Sequence, residues 1–356
     1  MSVTILDVAR AAGTSKSTVS KVLRDEPNVA PATRARVREA MARLGYRPNA
    51  AARSLVQRRA RVIGIVVADI RNPFFAEIAH AIAEVAAEAG YGTVLSDLST
   101  ERGAEPSFLH LVAEGRADGL VLAAWPGSDA AGCLAAERTP VAYVACRPLG
   151  VAADSVTLDE ARGAALAVAH LAALGHRRIA CIASGDDDSS AADRLAGYRR
   201  GLLEAGLVPD AGLVVRARPD AERFGARTGG LAARALLEVE PPPTAIFAAD
   251  DFLALGAMQA LEEIGLRVPD DVSLVGFDDI GVAGLARIGL TTVVQPVAAM
   301  GRQVAGILLE RLERDGRARD RTTAADGRVE QVVLEPRLVV RTSTARAPMA
   351  AAARTR

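Results

Sequence analysis

The chain has little of several features that mark particular protein classes. Aromatic residues make up only 3% of the 356 residues although half are hydrophobic, so the core has to be built from Ala, Val, Leu and Ile. Three cysteines without a CxxC pair exclude a disulfide framework. No apolar run reaches the roughly 18–20 residues of a membrane helix, and the first ten residues lack a basic and apolar signal peptide. We therefore expect a soluble, cytoplasmic protein.

Lysine is nearly absent, and charge is unevenly distributed. The chain has 41 arginines but only two lysines, Lys16 and Lys21, which lie near the N-terminus. Residues 1–61 hold 13 basic residues against four acids, a net charge of +9, and the remaining residues carry −9. Such asymmetry is typical of a nucleic-acid-binding head on an acidic body, although a solvated basic surface would give the same count.

The first 48 residues have the pattern of a helix-turn-helix domain, with the motif over about residues 5–24. Thr4 opens a capping box for the first helix, Gly13 ends that helix, and Ser15 caps a second one. Two short helices joined by a turn that contains glycine place the second helix in the major groove of DNA. A three-helix domain that binds protein is the alternative.

Residues 31–44 predict a third helix, and residues 49–60 a separate hinge helix and linker. A helix of about seven residues that begins after Asn49 is too short to be stable alone in water. It also lacks an apolar face adequate for a core, so it has to order against a partner. The arginines in and after it make nucleic acid a plausible partner.

From residue 61 onward, short β-branched runs alternate with Ala-rich helical stretches. The runs lie at 62–67, 93–95, 120–122, 141–144, 179–183, 245–248 and 272–275. This alternation is typical of parallel sheets with helices on both faces, and the strands are too many for one compact sheet. We therefore expect two subdomains with a ligand cleft between them, because ligands bind outside the carboxyl ends of such strands.

The body shows no readable catalytic set. No glycine-rich phosphate cradle follows the first strand, the four histidines lack metal-ligand spacing, and no nucleophile has a nearby base. His176 is expected to be a solvated residue at a helix end and Asp186–Asp188 a solvated loop. Cys146 is expected to be a small buried side chain, with a redox sensor as the alternative. We predict a protein that is not an enzyme and has no metal or cofactor.

The order of the motifs resembles the lactose/galactose-repressor (LacI/GalR) family of bacterial transcription regulators. The resemblance rests on TILDVARAAGTSKSTVSKVL, LGYRPNAAARSL, IGIVVADIRNPFF, LGHRRIA, RLAGYRRGL, ALGAMQALEEIGLRVPDDVSLVGFDD and TTVVQP, which cover nearly the whole chain in this order. It implies an all-α helix-turn-helix head and an α/β body of two doubly wound parallel-sheet subdomains, of the periplasmic-binding-protein type I kind. It also implies a homodimer that binds a palindromic operator in double-stranded DNA, under the control of a small sugar-like ligand.

The resemblance further implies which residues contact DNA. Lys16, Ser17 and Lys21 would read base edges, and two hinge helices would insert Leu55, with Ala52, into the minor groove. The candidate set is completed by Thr4, Ser15, Thr18, Ser20, Asn28, Tyr46 and Asn49. For most of these, phosphate contact and a structural role such as helix capping are equal alternatives. Two positions depart from the family, which usually has Arg at position 21 and Ser or Thr where this chain has Ala30.

In the body, the resemblance implies a ligand pocket. The matching residues are Asp69, Asn72, Phe74, Phe75, Cys146, Arg147, Arg194, Phe224, Asp250, Asp278 and Gln295. Planar rings would cover the apolar face of a sugar while arginine and carboxylates hold its hydroxyls, with core packing as the alternative for the phenylalanines at 74 and 75. Cys146 replaces a carboxylate that the family commonly has and Asp250 replaces an amide, so one carboxylate has moved across the cleft.

The effector-binding and dimerisation domain is expected over residues 61–342. Its N-subdomain would comprise about 61–160 and 292–325, and its C-subdomain about 161–290 and 328–342. Residues 315–328 are polar and predict a loop, and 343–356 predict a disordered tail. The tail contains no leucine heptad of the kind with which some members of the family form tetramers, so we expect a dimer.

A repressor is the favoured function. An activator of the same family is the first alternative, because the sign of regulation depends on where the operator lies. A sugar-binding transport component is a more distant alternative, since it would need a signal peptide and no helix-turn-helix.

Overall fold

The computed structural model describes residues 3–23, 26–46, 59–100, 106–125, 127–137, 139–148, 152–185, 188–217, 225–320 and 329–348. The chain divides into two compact units, Met1–Arg61 and Val62–Arg356, which we call the head and the body.

Three helices form the described part of the head: α1 (Ile5–Ala11), α2 (Lys16–Leu23) and α3 (Pro31–Leu44). The predicted capping box is present. Thr4 Oγ1 accepts a hydrogen bond from the Asp7 backbone N–H, and the Asp7 carboxylate accepts one from the Thr4 backbone N–H. An aliphatic core joins the three helices, made of Val8, Ala9, Ala12, Val19, Val22, Val29, Val37 and Ala40. The three helices predicted for the head are therefore confirmed.

The body contains two six-stranded sheets. The first has the order β11-β5-β4-β3-β1-β2, with β1 (Val62–Val67), β2 (Gly92–Asp97), β3 (Gly119–Ala123), β4 (Val141–Val144), β5 (Asp154–Leu158) and β11 (Gln331–Leu334). The second has the order β12-β10-β9-β8-β6-β7, with β6 (Ile179–Ser184), β7 (Val214–Ala217), β8 (Ala245–Ala248), β9 (Ser273–Asp278), β10 (Thr291–Val294) and β12 (Arg337–Val339). Neighbouring strands are parallel except β10 and β12.

Helices pack on both sheets. Lobe 1 is the first sheet with α4 (Pro73–Glu88), α5 (Ser107–Ala113), α6 (Ser128–Glu137) and α11 (Val297–Asp320). Lobe 2 is the second sheet with α7 (Glu160–Ala173), α8 (Ser189–Glu204), α9 (Ala226–Leu237) and α10 (Asp251–Glu263). Glycine permits close helix packing in lobe 2: a Cβ at Gly256 of α10 would lie 1.6 Å from the Ala226 carbonyl oxygen of α9. The predicted α/β architecture with two sheets is confirmed.

The chain crosses between the lobes at three points in its described part, after β5, after β10 and after β11. Two predicted subdomain boundaries are therefore wrong. Strand β10 extends the second sheet by pairing with β9, so Thr291–Val294 belongs to lobe 2, and β11 pairs with β5, so Gln331–Leu334 belongs to lobe 1. The sequence offered no way to assign these short β-branched runs, because either sheet edge accepts them.

Two further predictions near the C-terminus need correction. Helix α11 continues to Asp320, and the arginines and the alanine of its last turns are good helix formers. Residues 321–328 lie outside the described part. The first residues of the predicted disordered tail pack on lobe 2. Ser343 is buried, and its hydroxyl donates a hydrogen bond to the Leu274 carbonyl. The Ala347 backbone N–H donates to the Leu174 carbonyl. Backbone contacts of this kind leave no hydrophobic pattern in a sequence; residues 349–356 lie outside the described part.

Candidate nucleic-acid interface and ligand cleft

The second helix of the head presents the predicted base-reading residues on its outer side. Lys16 and Ser17 are exposed and Lys21 is half-buried, whereas Val19 and Val22 pack into the core. This alternation follows from the helical period, which turns one face inward and leaves the polar face outward. Helix α2 therefore packs on the core of the head through its apolar face.

Several predicted phosphate-contacting residues have structural roles in the head. Ser15 Oγ accepts a hydrogen bond from the Thr18 backbone N–H at 3.1 Å and lies 2.7 Å from Ser17 Oγ, so Ser15 caps α2. Thr4 caps α1, and Tyr46 packs against the core of the head. Asn28 is exposed and Ser20 half-buried. Asn49, Ala52 and Leu55 lie outside the described residues, so the minor-groove wedge stays a prediction.

In the body, the carboxyl ends of strands from both lobes surround one cleft. Lobe 1 contributes Asn72, Phe74, Phe75, Ala123, Ala145 and Cys146, and lobe 2 contributes Ser184, Asp188, Ser190, Ala191, Arg194, Asp250 and Asp278. The cleft has a free volume of about 70 Å³. Seven of the eleven predicted ligand-binding residues are in this lining.

Three helices begin at the cleft, each capped by a polar side chain in its lining. At the start of α4, Asn72 Oδ1 accepts a hydrogen bond from the Phe74 backbone N–H. At the start of α8, Asp188 Oδ1 accepts one from the Ala191 backbone N–H. At the start of α10, Asp250 Oδ1 accepts one from the Leu253 backbone N–H. Each cap satisfies a backbone donor that the helix cannot satisfy itself. The caps therefore fix these three side chains at the rim of the cleft.

Arg194 is the centre of the polar side of the cleft. Its Nε donates to Glu160 Oε2 at 2.7 Å, its Nη1 donates to the Ala249 carbonyl, and its Nη2 lies 3.4 Å from Asp278 Oδ1. The guanidinium carbon also stacks 3.9 Å from the centre of the buried Phe277 ring. The planar fork of arginine is thus held on all sides, which leaves it a single orientation.

Burial and charge oppose each other in this network. Burial disfavours the charge on Arg194, but Glu160 and Asp278 outweigh it and raise the pKa of the guanidinium. Burial raises the pKa of both carboxyls, and the attraction of Arg194 offsets that rise only in part. One buried cation is therefore shared between two buried acids.

Asp278 ends β9 in a backbone conformation that favours glycine, with φ of 114°. Such a conformation costs on the order of 1–3 kcal/mol, so its surroundings have to hold it in place. Gln295 does so from the end of the neighbouring strand: its Nε2 donates to Asp278 Oδ1 at 2.7 Å. Gln295 therefore positions Asp278, although it is not itself in the lining.

Asp251, next to the cap of α10, is fully buried behind the cleft. Its carboxylate accepts from Thr292 Oγ1 at 2.5 Å and from the Ile280 backbone N–H at 2.9 Å. Burial nevertheless raises its pKa to about 7. Asp251 ties α10 to β10 and to the loop after β9.

The lobe 1 side of the cleft is apolar and carries no ionised side chain among its described lining residues. Phe74 and Phe75 meet edge to face with ring centres 5.2 Å apart, and Phe74 is buried while Phe75 is half-buried. Cys146 is buried as expected, and burial raises the pKa of its thiol above the ordinary range, so the thiol is protonated at neutral pH.

Three other predicted ligand-binding residues are placed elsewhere or lie outside the described part. Asp69 forms an ion pair with Arg71. Arg147 crosses to lobe 2, where its Nη2 donates to Asp193 Oδ2 at 2.7 Å and its backbone N–H to Ser189 Oγ at 2.9 Å. Phe224 lies outside the described residues. Asp69 and Arg147 are therefore engaged by other side chains, and neither is in the cleft lining.

Sequence reasoning missed Glu160 and misjudged Asp188 and His176. Glu160 directly follows β5, and an acid at the carboxyl end of a strand was the available signal. Asp188 is a helix cap rather than part of a solvated loop. His176 is buried, with ring nitrogens near Thr244 Oγ1 (2.9 Å), Ser273 Oγ (3.1 Å) and the Ala345 carbonyl (3.1 Å), and burial lowers its pKa. The C-terminal segment covers it, which its own sequence context does not show.

Comparison with known proteins decides the family. The model of the lacI family of bacterial regulatory proteins matches residues 4–49, and that of a periplasmic binding protein-like domain matches 168–344. The chain is 35% identical to the transcriptional regulator DegA of Bacillus subtilis, over 97% of this chain and 98% of DegA. The chain belongs to the lacI family. The regulator CelR of Thermobifida fusca is 36% identical over 94% of this chain and 96% of its own.

Solved structures agree with this assignment over nearly the full length. The lac repressor dimer bound to operator and the anti-inducer ONPF matches with a TM-score of 0.80 and 30% identity, over 97% of this chain and 100% of the other. The complex of CelR with cellobiose matches with a TM-score of 0.68 and 35% identity, over 96% and 99%. The predicted family, fold and class of DNA-binding transcription regulator are confirmed. In the described residues, no helix is both long and apolar enough to cross a bilayer.

Proposed function

We propose that this protein is a cytoplasmic repressor without catalytic activity, which binds a palindromic operator as a homodimer and releases or tightens it when a polyhydroxylated ligand occupies the cleft. The observation that carries the proposal is the Arg194 network, a polar site at the strand ends opposite an aromatic face. The complexes of CelR with cellobiose and of a related regulator with ribose support a sugar ligand.

The geometry explains how a ligand is coupled to the lobes. Arg194 contacts Glu160, which follows the crossing after β5, and Asp278 contacts Gln295, which lies in the crossing after β10. The free volume of about 70 Å³ is far below the about 300–1,000 Å³ of ordinary small-molecule pockets. A sugar therefore fits only when the lobes move apart. A ligand that binds one arrangement of the lobes more tightly than the other shifts the equilibrium towards that arrangement.

The dimer has a surface of suitable character in lobe 1. Strand β2 is an edge strand, and its Val94 and Leu95 are about 40% exposed, close to the exposed Ile70. An exposed apolar edge strand invites pairing or coverage. We assign this edge to the homodimer contact, and the lac repressor structure, which is a dimer, supports a dimeric protein.

In the head, Lys16, Ser17 and Lys21 are assigned to base reading. Lys21→Ala should alter the discrimination between bases at one symmetric position of the operator by roughly 1–3 kcal/mol.

Leu55→Ala should reduce affinity for the operator and leave affinity for random DNA largely unchanged, because it removes the wedge but no charge. Equal losses on operator and random DNA would contradict the wedge.

Selection of genomic fragments by the purified protein, with and without a panel of sugars, tests the whole proposal. The expected fragments share a palindrome with half-sites about one helical turn apart, and at least one sugar changes their recovery. Fragments that contain single half-sites, bound as tightly as palindromes, would contradict the dimer. A calorimetric screen in which no sugar, polyol or nucleoside bound would contradict the ligand.

A further inference from the structure

Carboxylates outnumber cations in the described lining of the cleft. Asp188, Asp250 and Asp278 line it, and Arg194 is the one cation among its described lining residues. All three nitrogens of Arg194 already donate to or face protein oxygens: those of Glu160, Ala249 and Asp278. Ionised carboxylates only accept hydrogen bonds, so a ligand group that binds to Asp188, Asp250 or Asp278 has to bring the donors.

Two buried oxygens of the same network have no hydrogen-bond partner among the described residues. They are Glu160 Oε1 and Gln295 Oε1, and both side chains are about 3% exposed. A buried acceptor without a donor destabilises the folded state. The raised pKa values of Glu160 and Asp278 agree with this, because the positive charge of Arg194 does not compensate for burial. The described network behind the cleft is therefore short of donors and of positive charge, although neither oxygen is in the lining itself.

The nearest features of lobe 1 supply no further cation. The described lining of lobe 1 consists of an amide, a thiol, two aromatic rings and two alanines. Arg147 follows Cys146 in the chain, but it pairs with Asp193 outside the lining. Aromatic rings attract a cation at their faces. Both sides of the cleft thus favour a positive group.

Resting on the proposed function, we propose that the ligand of this cleft is a polyhydroxylated compound that bears a protonated amine, such as an amino sugar, and that anionic sugars are excluded. An ammonium group supplies three donors and no acceptor. It would lie between the carboxylates of Asp188, Asp250 and Asp278, with the sugar ring against Phe74 and Phe75. A uronate or sugar phosphate would instead place a further negative charge among these carboxylates, which like-charge repulsion disfavours.

Calorimetry on the full-length protein at pH 7 tests this with matched compounds. In each of the gluco, galacto and manno series, the 2-amino-2-deoxy sugar is compared with the hexose and the uronate. In the series that binds, the amino sugar should bind about 10- to 100-fold more tightly than the hexose, and the uronate should not bind. A hexose that binds as tightly as its amino sugar, or any bound uronate, overturns the proposal. Binding by no compound at all would contradict the sugar ligand of the proposed function itself.

Two variants identify the carboxylates that read the amine. Asp188→Asn and Asp250→Asn remove a charge but keep an oxygen that caps the helix, because Asn caps as well as Asp. Each should lower the preference for the amino sugar over the hexose by about tenfold. Glu204→Gln is the control, since Glu204 is an exposed acid at the other end of α8. An unchanged preference in both aspartate variants, or an equal loss in the control, would overturn the proposal.

Discussion

The two lobes of the body share one architecture but present opposite chemistry to the cleft between them. Their strand orders correspond, and each places helix N-termini at the carboxyl ends of its strands. Lobe 1 offers aromatic rings, an amide and a buried thiol, whereas lobe 2 offers a buried guanidinium and several carboxylates. The fold therefore determines where a ligand binds, and the residues at a few strand ends determine what it is.

The difference also concerns stability. Lobe 2 contains a buried cation, Arg194, that is paired with two buried acids, Glu160 and Asp278, so each is needed for the others. In lobe 1, Arg147 reaches an acid only across the cleft, in a pair that is about 40% exposed on both sides. Removing one partner of a buried pair is far more costly than removing a partner exposed to water. Substitutions in the two lobes should separate these cases.

The largest expected effect is that of Arg194→Met. It leaves Glu160 and Asp278 buried without a cation and should lower the free energy of unfolding by about 3–5 kcal/mol. The matched substitution Arg147→Met should cost no more than about 1 kcal/mol, because its pair with Asp193 is half-exposed. Urea unfolding followed by circular dichroism measures both. Equal losses in the two variants would contradict the contrast between the lobes.

The second effect is a pH dependence confined to lobe 2. The pKa of Asp251 is about 7 in the folded protein, whereas the ordinary pKa of an aspartate is 3.8. A raised acid pKa means that the folded state binds more protons, so this contribution is complete below pH 4 and is lost as the pH rises through 7. The stability of the wild type relative to Asp251→Asn should therefore fall between pH 5 and 7, by up to about 1.4 kcal/mol per unit. A difference that is constant or rises over this interval would show that Asp251 is ionised throughout.

The smallest effects concern the helix caps on either side of the cleft. Asn72→Ala in lobe 1 and Asp188→Ala in lobe 2 each remove a capping oxygen and should cost about 1 kcal/mol. Asn72→Asp and Asp188→Asn keep the cap and should change stability by less than about 0.5 kcal/mol. Thermal unfolding of the four variants measures these differences. A large loss in Asn72→Asp would show that lobe 1 does not tolerate a charge at its helix terminus.

Much of the fold could be predicted because periodicity and capping are local signals. The buried run of β1, the capping box at Thr4 and the helix stop at Gly45 are each written in adjacent residues. The assignments of β10, β11 and the segment after residue 342 failed because they depend on pairing between distant parts of the chain. Local patterns determine the elements, and partners far away in sequence determine which sheet they join.

The site shows the same division. Arg194, Asp250 and Asp278 could be named from their motifs and lie together in the cleft. Glu160 was missed although it follows the end of a strand, because its role depends on burial against Arg194 from another helix. Arg147 could be named, but its sequence context does not show that Asp193 engages it across the cleft.

The central claim is that occupation of the cleft changes operator affinity through the Arg194 network. Fluorescence anisotropy of a labelled operator, with and without the sugar that binds most tightly by calorimetry, tests it most directly. The wild type should show a change in operator dissociation constant of about 5- to 150-fold, and in Asp278→Asn the ratio of the two constants should fall towards one. A wild type whose operator affinity does not respond to a bound sugar, or a variant that responds in full, would contradict the account.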